Sequence, residues 1–214
     1  MATRVLLIRH ADVENPANVL YGHLEGFGLS ALGRAQAEAV GERLRDDPPV
    51  RIAHSPLQRA VETTSLINAG LAAPAPLQPE PGLREADFSR YLQGVPYWQI
   101  PMRRPLWFVH KARRGLLPGD ESIEELGGRV LRVMYALAEA HPGARSALVS
   151  HADPLQAAWV LLDRRPANER ELYRKAIAKS GMLEVELDGT RLLGVAYTAP
   201  PSIPRPAPPP AIRD

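Results

Sequence analysis

At 214 residues the chain is long enough to bury one large core, and its 45% hydrophobic and 23% charged content is that of a globular protein in water. No apolar run approaches bilayer-spanning length, and a formal net charge of +2 gives no argument for nucleic acid as a partner. The absence of Cys removes disulfides, thiolate nucleophiles and Cys-based zinc sites together. Arg4 and Arg9 bracket only a strand-length apolar run, so no secretory signal is read and a cytoplasmic location is expected. Lys111, Lys175 and Lys179 are the only lysines; every other cation is Arg. That bias reads as compositional, but Arg is also the side chain suited to bidentate phosphate or carboxylate recognition, so single arginines need examination.

The first element is Val5-Leu6-Leu7-Ile8, a short apolar run closed by Arg9-His10-Ala11-Asp12. Its length and composition predict a buried strand. A loop from about Asp12 to Leu29 follows, long enough to suggest a role. Ser30 reads as an N-cap, and Leu32, Ala35, Ala39, Val40 and Leu44 recur at helical spacing, so a helix is expected over 31–45. Val50 to Ala53 is a second strand. Ser55 with Gln58 reads as a capping box with Pro56 at the first helical position, so the next helix should start there and run to about Asn68. Arg59 then lies in its first turn, where a cation is unfavourable for the helix alone, which suggests placement for an anion. Leu71 to Pro81 is irregular, with a short strand near Leu77.

Residues 88–119 mix Tyr91, Tyr97, Trp98, Trp107 and Phe108 with Arg and Pro, and are expected to form a helical insertion or lid. Ser122 with Glu125 makes another capping box, and the apolar stripe from Ile123 to Leu137 predicts a helix over 122–141. Arg145 to Val149 is a third strand, ending Ser150-His151-Ala152-Asp153. Helices are expected near 154–162 and 168–173, then a hairpin of Met182–Leu187 and Arg191–Tyr197. Residues 1–199 are expected to form one domain and 200–214 a Pro-rich flexible tail. Alternating strands and helices imply an α/β fold, a three-layer α/β/α sandwich whose mostly parallel sheet gains antiparallel edge strands from the hairpin.

Two strands thus end alike, Leu7-Ile8-Arg9-His10-Ala11-Asp12 and Leu148-Val149-Ser150-His151-Ala152-Asp153. If both are central and parallel, their imidazoles emerge at one sheet edge. With Arg9 and Arg59 they would make a cationic pocket whose natural guest is a tetrahedral oxyanion, above all a phosphoryl group. The same histidines with Asp12 and Asp153 could in principle hold a divalent ion, but two fixed guanidiniums would repel it. Phosphoryl transfer here needs a neutral imidazole as nucleophile, cationic donors for the equatorial oxygens, and an acid that later acts as base toward water; Glu85 is the candidate acid.

The blocks Arg9-His10, Ser55-Pro56-Leu57-Gln58-Arg59-Ala60, Leu83-Arg84-Glu85 and Ser150-His151 resemble, in order and approximate spacing, those of the histidine phosphatase superfamily, which includes the cofactor-dependent phosphoglycerate mutases. The stretch Leu29 to Ala37 is similar to its first helix and Gly119 to Ser122 to its Gly-Glu-Ser turn, so the likeness covers about residues 4–162. The resemblance implies a phosphoglycerate mutase-like sandwich that needs no metal or other cofactor, with His10 phosphorylated, Arg9, Arg59 and His151 binding the phosphoryl group, and Glu85 donating the proton. Gly22 and His23 lie where many members contact substrate. Ala11, Ala152 and Ser89 depart from the family pattern where Gly is usual, and His54 where a small hydroxyl residue is frequent.

The function expected is hydrolysis of small phosphomonoesters, with no nucleic acid or membrane partner and a monomeric or homodimeric state. Two alternatives stand beside it: a phosphoglycerate mutase-type phosphotransferase, and a phosphate-binding module without turnover, which would have no need of Glu85. Asp12 and Asp153 read as turn caps, His110 and His141 as surface residues, and the aromatics and arginines of 90–114 equally as a lid or as packing.

Overall fold

The computed structural model describes residues 2–203; residues 204–214, most of the expected tail, lie outside the described residues. Strand β1 (Thr3–Arg9) is the axis of the fold. Val5, Leu6, Leu7 and Ile8 are all 0% exposed, because the strand is covered on both faces. Successive side chains of a strand point to opposite faces. Val5 and Leu7 accordingly pack with α6 (Ile123–Ala140) and α7 (Ala152–Leu162), while Leu6 and Ile8 pack with α1 (Ala31–Arg43) and α2 (Gln58–Gly70). Each such side chain stabilises the fold by about 1.5–3 kcal/mol. The result is the three-layer α/β/α sandwich.

The sheet has six strands in the order β3-β2-β4-β1-β5-β6. Strands β2 (Ile52–His54), β3 (Leu77–Pro79) and β4 (Arg145–Ser150) run parallel with β1. The hairpin of β5 (Met182–Asp188) and β6 (Arg191–Thr198) closes one edge antiparallel, with β5 paired directly to β1. Register matters most between β1 and β4, where Ile8 pairs with Val149 and Arg9 with Ser150. The carboxyl ends of the two strands are therefore level.

Residues 88–119 hold three short helices, α3 (Ser89–Leu92), α4 (Ile100–Arg103) and α5 (Leu106–Ala112), and a 3₁₀ turn at Tyr97–Gln99. Pro101 and Pro105 break this run into pieces at helix starts, where a missing N–H is tolerated. Phe88, Leu92, Val95 and Ile100 give the segment a small core of its own. A last helix, α8 (Glu169–Arg174), follows α7. Among the described residues no helix is long and apolar enough to cross a membrane.

Two local expectations are corrected. Helix α2 starts at Gln58, not near Ser55, and its N-cap Leu57 makes no side-chain cap bond. Ser55 Oγ is occupied elsewhere, by the His151 ring, so the residues of a capping box are present without the box. His110 is buried rather than superficial: it stacks on Phe88 at 4.1 Å and its Nδ1 lies 2.9 Å from Asp120 Oδ1. His141 is half-buried at the C-cap of α6. The capping box of Ser122 with Glu125 forms as expected.

Helices α6 and α7 approach closely at Gly127. A Cβ there would sit 2.7 Å from the backbone carbon of Ala157, whereas at Gly128 the nearest atom would be 3.8 Å away. Gly127→Ala should therefore destabilise by about 1–3 kcal/mol, an overpacking cost. Its neighbour Gly128→Ala should stabilise by about 0.5–1 kcal/mol, since glycine weakens a helix interior. Urea denaturation of the two variants checks the opposite signs; equal effects would mean that the helices do not touch at Gly127.

Candidate active site

The level ends of β1 and β4 place His10 and His151 side by side, with ring centroids 5.1 Å apart. A backbone bond from His10 N to Ser150 O, 2.9 Å, locks the two chains at that point. His10 Nδ1 faces the carbonyl of Ala11 at 2.8 Å, so it must be the donor. The ring proton is thus held on Nδ1, and Nε2 keeps its lone pair. Ala11 itself lies outside the left-handed region of backbone space, so its methyl causes no strain where the family pattern has Gly. Its N–H donates to Thr63 Oγ1, which ties the strand end to α2.

His151 Nε2 lies 2.8 Å from Ser55 Oγ. That oxygen also accepts from Leu57 N, and its hydroxyl proton has no other acceptor among the described residues. The hydroxyl therefore donates to Nε2, which puts the His151 ring proton on Nδ1. This Nδ1 is buried and has no partner among the described residues.

Arg59, in the first turn of α2, is 1% exposed. Its Nη2 donates to Gly22 O at 2.9 Å and its guanidinium lies over the Tyr21 ring at 4.7 Å. Arg9 donates from Nη1 to Ile177 O at 2.7 Å. Neither forms a salt bridge among the described residues, and both Nε atoms are buried without partners. Gly22 is required where it stands: its φ is +45°, and a Cβ would come within 2.9 Å of Ser89 O.

These charges act on the imidazoles. Burial first, then Arg59 and Arg9, holds His10 well below its ordinary 6.5. Burial, then Arg59 and His10, does the same to His151. Glu85 moves the other way: burial, then the Asp153 carboxylate, raises it above its ordinary 4.5 against the pull of Arg59.

The Glu85 segment is fixed from three sides. Ser150 Oγ donates to Leu83 O at 2.7 Å, and Arg129 of α6 donates to the carbonyls of Gly82, Arg84 and Glu85 at 2.7, 2.6 and 3.2 Å. His23 Nε2 lies 3.1 Å from Glu85 O and 3.3 Å from Ala86 O.

A cleft of about 360 Å³ is lined by Arg9, His10, Gly22 and Glu85 together with Tyr97 and Trp107. Arg59 and His151 do not line it, but are joined to it through Gly22 O and the His10 ring. His23 is not among the residues lining the cleft; its ring buttresses the backbone that carries Glu85. Asp153 lines the cleft and binds Arg114 and Tyr173 rather than capping a turn. Asp12 does hold the start of α1, through the Ser30 hydroxyl at 2.6 Å, and pairs with Lys179. Arg129 and Ser55 were not legible as site residues: one is a helical Arg among many, the other looks like a cap. Among the described residues no three His, Asp or Glu side chains are grouped to hold a metal ion.

The chain matches the family model of the histidine phosphatase superfamily (branch 1) over residues 5–198. It is 32% identical over 212 residues to the uncharacterized protein Rv0525 of Mycobacterium tuberculosis, covering 94% of this chain and 98% of that one. It is 29% identical over 165 residues to a metal-independent phosphoserine phosphatase of Arabidopsis thaliana, covering 74% and 68%. Its fold is similar to that of Bacillus stearothermophilus YhfR, with a TM-score of 0.81 at 21% identity over 94% and 98% of the two chains. The paired strand-end histidines, the buried arginines and the match along nearly the whole chain have one reading: the protein belongs to the histidine phosphatase superfamily.

Proposed function

We propose that the protein hydrolyses small phosphomonoesters through a phosphohistidine on His10, with side-chain cations doing the work a metal ion does elsewhere. The observation that carries this reading is the set of unpartnered donors, Arg9 Nε, Arg59 Nε and His151 Nδ1, buried around a neutral imidazole with a free Nε2. Such donors cost free energy unless an anion takes them up, and phosphoryl oxygens fit that need. Membership of the superfamily and the name of the Arabidopsis relative support a phosphatase-type enzyme acting on a small phosphorylated substrate.

The proposed steps use the groups of the site in turn. Nε2 of His10 attacks phosphorus as the bond from phosphorus to the ester oxygen breaks. Glu85 gives its carboxyl proton to that oxygen, which leaves as an alcohol. Water then attacks the phosphohistidine and passes a proton to the Glu85 carboxylate. The phosphorus–nitrogen bond breaks, its electron pair returns to Nε2, and phosphate leaves with Glu85 protonated again. Arg9, Arg59 and His151 stabilise the charge on the equatorial oxygens in both steps.

Phosphate release from p-nitrophenyl phosphate should persist in EDTA and vanish in His10→Ala, and acid-quenched enzyme should carry an acid-labile phosphoryl group. Arg59→Ala should lower kcat/KM by about 10²–10³. Binding of phosphate without release or phosphoenzyme would sink the proposal, and preferential transfer to 3-phosphoglycerate over water would convert it to a mutase.

The pH dependence has a definite sign. His10 is depressed, so it stays neutral to well below pH 6.5. Glu85 must be protonated to donate, and its pKa is raised, so kcat/KM should fall as pH rises through a limb above 4.5. Removing the Asp153 charge with Asp153→Asn takes away one cause of that rise, so the limb should move to lower pH. A limb that stays in place or moves upward would assign it to another group.

Arg129→Met should lower kcat about tenfold or more with a smaller change in KM, because a small misplacement of an acid is costly. Steady-state kinetics beside thermal melts would tell this from simple unfolding.

A further inference from the structure

The cleft is divided electrostatically. Arg9, which lines it, and Arg59 form no salt bridge among the described residues. Lys111 and Arg114 also line it, but both are taken. Arg114 donates from Nε to Glu169 at 2.6 Å and from Nη2 to Asp153 at 2.7 Å, with its side chain 4% exposed. Lys111 pairs with the same Glu169 and lies 4.5 Å over the Tyr173 ring. Two cations thus meet two carboxylates, and one of those, Asp153, itself lines the cleft. Tyr173 OH closes the cluster, 2.9 Å from Arg114 Nη2 and 3.2 Å from Asp153. Much of the remaining lining is apolar or aromatic, including Leu92, Tyr97, Ile100 and Trp107, with Phe88 stacked on His110. His110 adds no charge near neutral pH, since burial and then Arg114 hold it at about 4.

From this arrangement we infer that the substrate is a phosphomonoester whose alcohol part is uncharged and apolar, preferably flat, and that the cleft discriminates against esters carrying a carboxylate. This rests on the phosphatase reading and narrows it. A carboxylate beside Arg114 would face Asp153 and find Lys111 and Arg114 already paired; it would have to displace an internal partner at the cost of desolvation. A phenyl-sized group would be buried against Tyr97 and Trp107 with no such cost.

Three primary alkyl esters, matched in leaving group, test it: 3-phosphoglycerate, glycerol 3-phosphate and 2-phenylethyl phosphate. The first two differ by a carboxylate and isolate its penalty; the last two isolate the apolar gain. The expected order of kcat/KM is 2-phenylethyl phosphate over glycerol 3-phosphate over 3-phosphoglycerate, with each step about tenfold or more. Glu169→Gln, which removes the shared partner of Lys111 and Arg114, should raise the ratio of kcat/KM for 3-phosphoglycerate over 2-phenylethyl phosphate about tenfold. Equal rates, a preference for 3-phosphoglycerate, or an unchanged ratio in Glu169→Gln would overturn the substrate class and leave the phosphatase reading standing. No phosphate release from any of the three, with no phosphoenzyme, would overturn both.

Discussion

The structure depends on keeping Arg59 charged in a place almost without water. A guanidinium at 1% exposure is a costly group to bury, and the usual remedy is a carboxylate. Here the remedy is neutral: one carbonyl from Gly22 and the face of Tyr21. Both come from the loop between β1 and α1, so that long loop is ordered by the need to solvate a cation. With no salt bridge to Arg59 among the described residues, its field reaches His10 and His151 and disfavours their imidazolium forms. Arg114 shows the contrast. With two carboxylates on it, the same side chain is a structural tie. What separates the two arginines is the sign of their company, not their depth.

The carboxylate of the site is governed by the same logic in reverse. Glu85 rests on a segment held by Arg129, His23 and Ser150, yet each of these bonds goes to backbone carbonyls rather than to its carboxyl group. These supports fix position, while the Ala86 N–H donates to Glu85 Oε1 at 3.0 Å and favours the ionised form. Burial and Asp153 outweigh that bond and the nearby arginines and raise its pKa, which suits the proposed role of giving up a proton and taking one back.

Much of this was legible in the sequence because it is written in local signals. The run Val5 to Ile8 could only be a doubly covered strand, and its repetition at Leu148-Val149-Ser150-His151 placed two histidines at one edge before any contact was known. The helix over 123–140 announced itself through its cap and stripe. What failed had a common cause: a residue whose local role was pre-empted by a distant partner. Ser55 had the spacing of a capping box, but His151, far along the chain, holds its hydroxyl. His110 looked like a surface residue of a broken helix until Phe88 and Asp120 closed over it. Asp153 read as a turn cap, and its partners Arg114 and Tyr173 lie on elements that no periodicity connects to it. His23 is the converse: its place in the chain suggested a ligand contact, and the fold uses it as a strut.

The pairing of β1 carries a kinetic consequence. Its neighbours are β4 and β5, from the last third of the described chain, while the helices that follow it immediately pack on its face but cannot satisfy its backbone. Closing so long a loop costs entropy before the pairing returns any stabilisation, so such contacts form late. During synthesis the first strand must wait with its hydrogen-bonding edges unmet until residues 145–150 and then 182–188 emerge. His10 and His151 meet only at that moment. The chain therefore acquires its pocket as one of the final events of folding, and a phosphoryl group bound there would report that the whole sheet has been assembled in register.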